Sequence, residues 1–157
     1  MKVQAEPGFT SEDLLDVVTP HAKRKPDIMI LHIGSNDLTA LEDVDGKKEK
    51  KIIDTERNIV KLRDTIHKHS PKTEVVLSLP TPRYDDEKMT GRSENKDIAR
   101  RTEKLCKRLV ETCEREKIKT LVHSNFNKTH LGKGQLHPNG PGKGLLARNF
   151  IDFIDKY

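Results

Sequence analysis

Three short segments carry residues whose types could do chemistry together: Pro7-Gly8-Phe9-Thr10, Gly34-Ser35-Asn36-Asp37 and Leu136-His137-Pro138-Asn139. Gly8 can present a backbone N–H at a helix start, Asn36 offers a side-chain amide donor, and His137 an imidazole that titrates near neutrality. Two donors and a base are the parts of an acyl-transfer site. An oxyanion needs preorganised N–H groups, and a hydroxyl needs a proton acceptor. Each segment alone is a weak signal.

The remaining reactive residue types point elsewhere. His67 and His69 stand two apart in a helical stretch and face different directions, while His130 and His137 share a loop without close ligand spacing. Structural or surface roles therefore outweigh zinc, and neither a metal nor a cofactor is expected. Cys106 and Cys113 lie seven apart in a helix-period pattern, about 10 Å along the axis, too far to pair with each other. They read as small core residues in a reducing compartment.

The elements that must position Gly8, Asn36 and His137 follow from periodicity. Five of the six residues Ile28 to Ile33 are apolar with no alternation, as in a strand buried on both faces of a parallel sheet. It stops at Gly34, so Ser35, Asn36 and Asp37 fall at a strand's carboxyl end, where open α/β sheets bind ligands. Upstream, Lys2 to Ala5 reads as a short strand. Thr10 or Ser11 then caps a helix over Glu12 to His21, with Leu14, Leu15 and Val18 on its apolar face. Downstream, Ile52, Ile53, Ile59, Val60 and Ile66 recur at helical spacing, so a helix runs from Lys47 to His69. Thr73 to Leu79 is a second buried strand, halted by Pro80-Thr81-Pro82, and a long polar segment reaches to Arg92. An amphipathic helix covers Ser93 to Lys117. Thr120 to His123 is a third strand, an irregular loop runs from Ser124 to Asn139, and Gly140-Pro141 opens a last helix. Strand and helix alternate throughout, which predicts an α/β fold with a parallel sheet, in a single domain over residues 1–157.

With the motifs placed, the sequence resembles the SGNH, or GDSL-type, esterase and lipase superfamily. Gly34-Ser35-Asn36-Asp37 matches its Gly-x-Asn-Asp block, Gly8 its glycine block, and His137 its histidine ahead of the last helix. The wording Pro-Gly-x-Thr, Lys-Pro-Asp, Leu-His-Pro-Asn and Leu-Leu-Ala-Arg-Asn-Phe is most similar to SGNH domains of retroelement reading frames. The resemblance covers Val3 to Ile154. It implies a flavodoxin-like three-layer α/β/α fold and hydrolysis of carboxylic or acetyl esters, with His137 as base and Gly8 and Asn36 as oxyanion donors.

Two departures bear on activity. The family's Gly-Asp-Ser block, which carries the nucleophile, lies some tens of residues upstream of the glycine block, yet only seven residues precede Gly8. The fold is thus expected to lack its first strand, as an amino-terminally truncated domain. The family's Asp three residues before the histidine falls on Gly134. Asp37, Asp85 or Asp86 could orient His137 instead, and Ser11 or Ser35 could stand in as nucleophile. The alternative reading is a non-catalytic retroelement remnant or a module that binds nucleic acid or protein.

Composition limits the partners. Lys and Arg number 30 against 25 Asp and Glu, a net charge of +5, which fits a solvated surface with weak nucleic-acid association through basic charge. Lys47 to Lys51 with Arg100, Arg101, Lys104, Lys107 and Arg108 could form a basic face, but without interleaved aromatics it is no stacking platform. No apolar run approaches a membrane span and Met1-Lys2-Val3-Gln4 opens no signal peptide, which places the chain in the cytoplasm. The unpaired edge left on Ile28 to Ile33 by an absent strand is a route to a homo-oligomer.

Overall fold

The computed structural model describes residues 2–38, 47–84 and 97–157. Helix α1 spans Ser11–Ala22 and begins where Thr10 and Asp13 cap each other. The Asp13 amide donates to Thr10 Oγ1 at 3.3 Å, and the Asp13 carboxylate accepts from Thr10 N at 2.8 Å. That reciprocal pairing satisfies helix-end donors that have no partner inside the helix. Strand β1 is Ile28–His32, α2 is Lys47–His69, β2 is Glu74–Ser78, α3 is Ile98–Glu116, β3 is Lys119–Leu121 and α4 is Gly140–Ile154.

The three strands form one parallel sheet in the order β1-β2-β3. Register pairs Ile28 with Glu74 and His32 with Ser78, then Ser78 with Leu121. Because side chains alternate across a strand, Leu31, Val75, Leu77 and Leu79 share one face. There they pack with Val18 and Ala22 of α1, Ile52, Ile59, Leu62 and Ile66 of α2, and Ile98, Leu105, Leu109 and Cys113 of α3. The apolar positions of α2 recur at intervals of seven, three and four, which is why one stripe of that helix is buried. The opposite face carries Ile30, His32, Val76 and Ser78, and α4 packs toward it, with Phe150 against His32. The result is a three-layer α/β/α arrangement.

Helices α2 and α3 are also joined by ion pairs. Lys104 and Arg108 both reach Glu49, at 2.5 and 2.9 Å, Arg108 pairs with Glu56 at 2.7 Å, and Arg63 with Glu116 at 3.2 Å. The expected basic face is corrected by these contacts. Lys104 and Arg108 are neutralised by α2, and Arg101 is buried, with Nη1 donating to Leu38 O at 2.9 Å.

A second correction concerns the amino terminus. Lys2 to Ala5 forms no strand. The segment is exposed, with Val3 as its one large apolar side chain, so pairing would bury too little to fix it. Among the described residues β1 therefore pairs on one side only, with β2. Cys106 and Cys113 are free thiols, and burial pushes both up to about 11.

Candidate active site

Parallel strands end at one edge, so the segments after β1, β2 and β3 meet there, and hydrogen bonds stitch them together. Leu79 N donates to Leu121 O at 3.0 Å, Arg83 Nη1 to Ser35 O at 2.8 Å, and Tyr84 N to Gln135 O at 2.8 Å. Gly34 makes the turn out of β1 with φ +111°, and a Cβ there would meet Pro80 Cγ at 3.2 Å. Both the dihedral and the space require glycine.

Beyond that turn, Asn36 Nδ2 donates to Phe9 O at 3.0 Å. The Gly-Ser-Asn-Asp turn is thereby fastened to the Pro-Gly-Phe-Thr segment, with Gly8, at φ +81°, next to the accepting carbonyl. An amide carries two N–H donors, so one remains on Asn36. Asp37 completes the joint. Its buried carboxylate accepts from Ser11 N at 3.0 and 3.1 Å, from Ser11 Oγ, and from Thr55 Oγ1 at 3.2 Å. This carboxylate is spent on anchoring α1, so Asp37 does not orient His137. Ser11 is fully buried, its hydroxyl held by Asp37 and by Asn58 Nδ2 at 3.0 Å, so it has no path to a substrate. Asp85 and Asp86 lie outside the described residues.

His137 sits in the loop between β3 and α4. Gly132 N donates to its carbonyl at 2.8 Å, and Leu131 bridges Pro138. Asn139 pins this loop: its Oδ1 accepts from Gly142 N at 2.9 Å, while Nδ2 donates to Thr129 O and Leu131 O at 2.9 and 3.0 Å. The His137 side chain is exposed, and no hydrogen bond joins it to another described residue. The structure thus brings Gly8 and Asn36 together through Phe9, and places His137 at the same sheet edge with no bond to either. No group of three metal-binding side chains gathers among the described residues.

One polar cluster was missed by sequence reasoning. His32 Nδ1 lies 2.9 Å from Ser78 Oγ, which lies 2.8 Å from His123 Nε2, and Asn149 Nδ2 lies 3.1 Å from His123 Nδ1. With the Asn149 amide donating, neutral His123 carries its proton on Nε2, directed at Ser78. The Ser78 hydroxyl can then donate to His32. Phe150 meets both imidazoles edge-on, with centroids 5.9 and 5.6 Å away. Burial, and then the charge of His32, push His123 down to about 4. His32 is also held below its ordinary value, chiefly by desolvation, although its outer edge meets solvent. Ser78 itself is wholly buried, so no acyl carbon reaches it as packed. The available signal was that His32 and Ser78 are polar residues closing two apolar strands.

The glycine turn, the donor block and the histidine loop all follow strands of one parallel sheet, on the side where open α/β sheets bind ligands. A sequence profile of the GDSL-like lipase/acylhydrolase family matches residues 2–145, and the chain belongs to that family. None of the curated protein sequences matches it. Among solved structures, it is similar to a GDSL-like lipase from Bacteroides thetaiotaomicron, with TM-score 0.71 and 19% identity over 95% of this chain and 72% of that one. A lipase/acylhydrolase from Enterococcus faecalis matches at TM-score 0.68 and 20% identity, over 94% and 71%. A catalytic mutant of an acetylxylan esterase from Geobacillus stearothermophilus matches at 0.66 and 20%, over 92% and 67%. No described helix is long and apolar enough to cross a membrane.

Proposed function

We propose that this domain is an ester hydrolase acting on carboxylic or acetyl esters, impaired relative to its serine-bearing relatives. The Asn36 to Phe9 hydrogen bond of 3.0 Å carries the reading, because it couples the two donor blocks of an oxyanion site. Gly8 N–H and the second N–H of Asn36 receive the negative charge that develops on the carbonyl oxygen. His137 takes the proton of the attacking group, and returns it to the departing alkoxide. Ser11, held by Asp37 and Asn58, and Ser78, wholly buried, are both closed to an ester, so in this reading water is the attacking group. The acetylxylan esterase among the structural neighbours makes acetyl esters the first substrates to try.

The test is hydrolysis of p-nitrophenyl acetate by the purified chain, its His137→Ala variant and its Asn36→Ala variant. Slow turnover is expected, falling by about 10²–10⁴ without the base. Turnover untouched by either substitution would overturn the assignment. A second reading, a non-catalytic binding module, is favoured by the engagement of Ser11 with Asp37 and Asn58, and complete inactivity of the unmodified chain would select it.

A further inference from the structure

Helix α2 has two polar sides that are treated differently. Toward α3, Glu49, Glu56 and Arg63 meet charges of opposite sign. Toward α1, Lys50, Asp54, Arg57 and Lys61 recur at intervals of four, three and four, and form one stripe. Together with Lys51, Asn58, Asp37 and the first turn of α1, this stripe lines a cavity of about 320 Å³.

The charges around the cavity do not cancel. Asp37 is committed to Ser11 and Thr55, and Asp54 pairs with Arg57 at 3.4 Å. That leaves Glu12 against Lys50, Lys51 and Lys61, none of which makes an ion pair with a described residue. Three ammonium groups on flexible stems line one polar hollow and together can donate several charge-assisted hydrogen bonds to an anion held there. A single charge cannot meet all three, since Lys50 and Lys61 are about 16 Å apart along the axis at 1.5 Å per residue. The second N–H of Asn58, whose first is held by Ser11 Oγ, adds a neutral donor at the floor.

We infer that the cavity between α1 and α2 binds a ligand carrying two or three linked phosphate groups. The site lies beside Thr10 and Asp37, next to the Gly8 and Asn36 blocks, but needs no esterase activity to operate. The phosphates could be a free oligophosphate or the tail of a nucleotide, and their chemistry at the lysines is the same.

The test is calorimetric titration at low salt with sodium tripolyphosphate, and in parallel with a nucleoside triphosphate. Both should bind, and should weaken as salt rises. The triple variant Lys50→Gln, Lys51→Gln, Lys61→Gln should lose on the order of tenfold or more in affinity for both, three exposed ion pairs being worth that together. The double variant Lys104→Gln, Arg108→Gln, which removes two cations of α3 on the other side of α2, should stay within about twofold. Circular dichroism melts establish that each variant is folded. Equal affinity for the two ligands assigns the free oligophosphate chemistry, and a tighter nucleoside triphosphate assigns the nucleotide. No binding of tripolyphosphate, or equal losses in the two variants, would overturn the site.

Discussion

The two faces of the sheet are held by different kinds of force. Toward α1, α2 and α3 the contact is apolar and closed, with Ile59, Leu62, Ile66, Leu77, Leu105 and Leu109 at 0 or 1% exposure. Toward α4 it is directional and open. Gly142 is the one buried residue of that helix, Ile151 is 50% exposed, and the attachment runs through the Asn149, His123, Ser78 and His32 chain. The first face gains stability in proportion to area. The second depends on which atoms carry protons.

The largest expected effect lies on the closed face. Leu105 is fully buried and approaches the glycine turn, 3.6 Å from where a Cβ on Gly34 would sit. Leu105→Ala should cost about 2–5 kcal/mol in urea denaturation, through lost transfer energy and the cavity left behind. Ile151→Ala on α4 should stay within about 0.5 kcal/mol. Comparable losses at the two positions would erase the contrast between the faces.

Acid separates the faces in the other direction. His123 titrates near 6.5 when unfolded and at about 4 when folded, so between those values the unfolded chain binds more protons. Stability should rise with pH across that window, and be lost as pH falls from 6.5 toward 4. A shift of that size corresponds to as much as about 3 kcal/mol. His32 contributes in the same direction, since its value is also lowered. A second positive ring would stand 5.8 Å from the first, and Ser78 has one hydroxyl proton to share between two imidazoles. Urea titrations from pH 7 to 4 should show the slope, and His123→Asn should flatten it. An unchanged slope in that variant would remove the network from the account.

Next in size is Gly142→Ala. The new Cβ would sit 2.1 Å from the carbonyl oxygen of His130, so α4 must move away from the loop that carries His137. Overpacking against backbone costs about 1–3 kcal/mol. Esterase activity and thermal stability should fall together, and an unshifted melting temperature would show that α4 is not seated on His130.

How far the sequence foretells this arrangement differs by region for physical reasons. Helix α2 begins and ends as its isoleucine periodicity predicts, at Lys47 and His69, because a buried stripe leaves its period in the chain. The strands ending at His32 and Ser78 are likewise legible as short apolar runs. Arg101 is not, since a helical charge pattern looks the same whether the guanidinium meets water or reaches Leu38 O. Nor is the His32, Ser78 and His123 cluster, which exists only once β1 and β2 are paired in register. Of the candidate site, Gly8, Asn36 and His137 are readable as types at element boundaries. The diversion of Asp37 to Ser11 depends on how α1 docks, which no local pattern encodes.

The smallest effect compares the two helix starts. Thr10 caps α1 by accepting one amide, that of Asp13, while Asp37 independently holds the Ser11 amide. Removing one cap bond of two should cost about 1 kcal/mol, so Thr10→Ala is a mild variant. Asn139 does more at α4: besides accepting from Gly142 N, it donates to Thr129 O and Leu131 O. Asn139→Ala removes the cap and leaves two loop carbonyls without that donor, each bond being worth about 0.5–1.5 kcal/mol net. The excess of Asn139→Ala over Thr10→Ala in chemical denaturation should therefore be about 1 kcal/mol or more. An excess near zero would mean that the loop carbonyls find water as readily as they found Asn139.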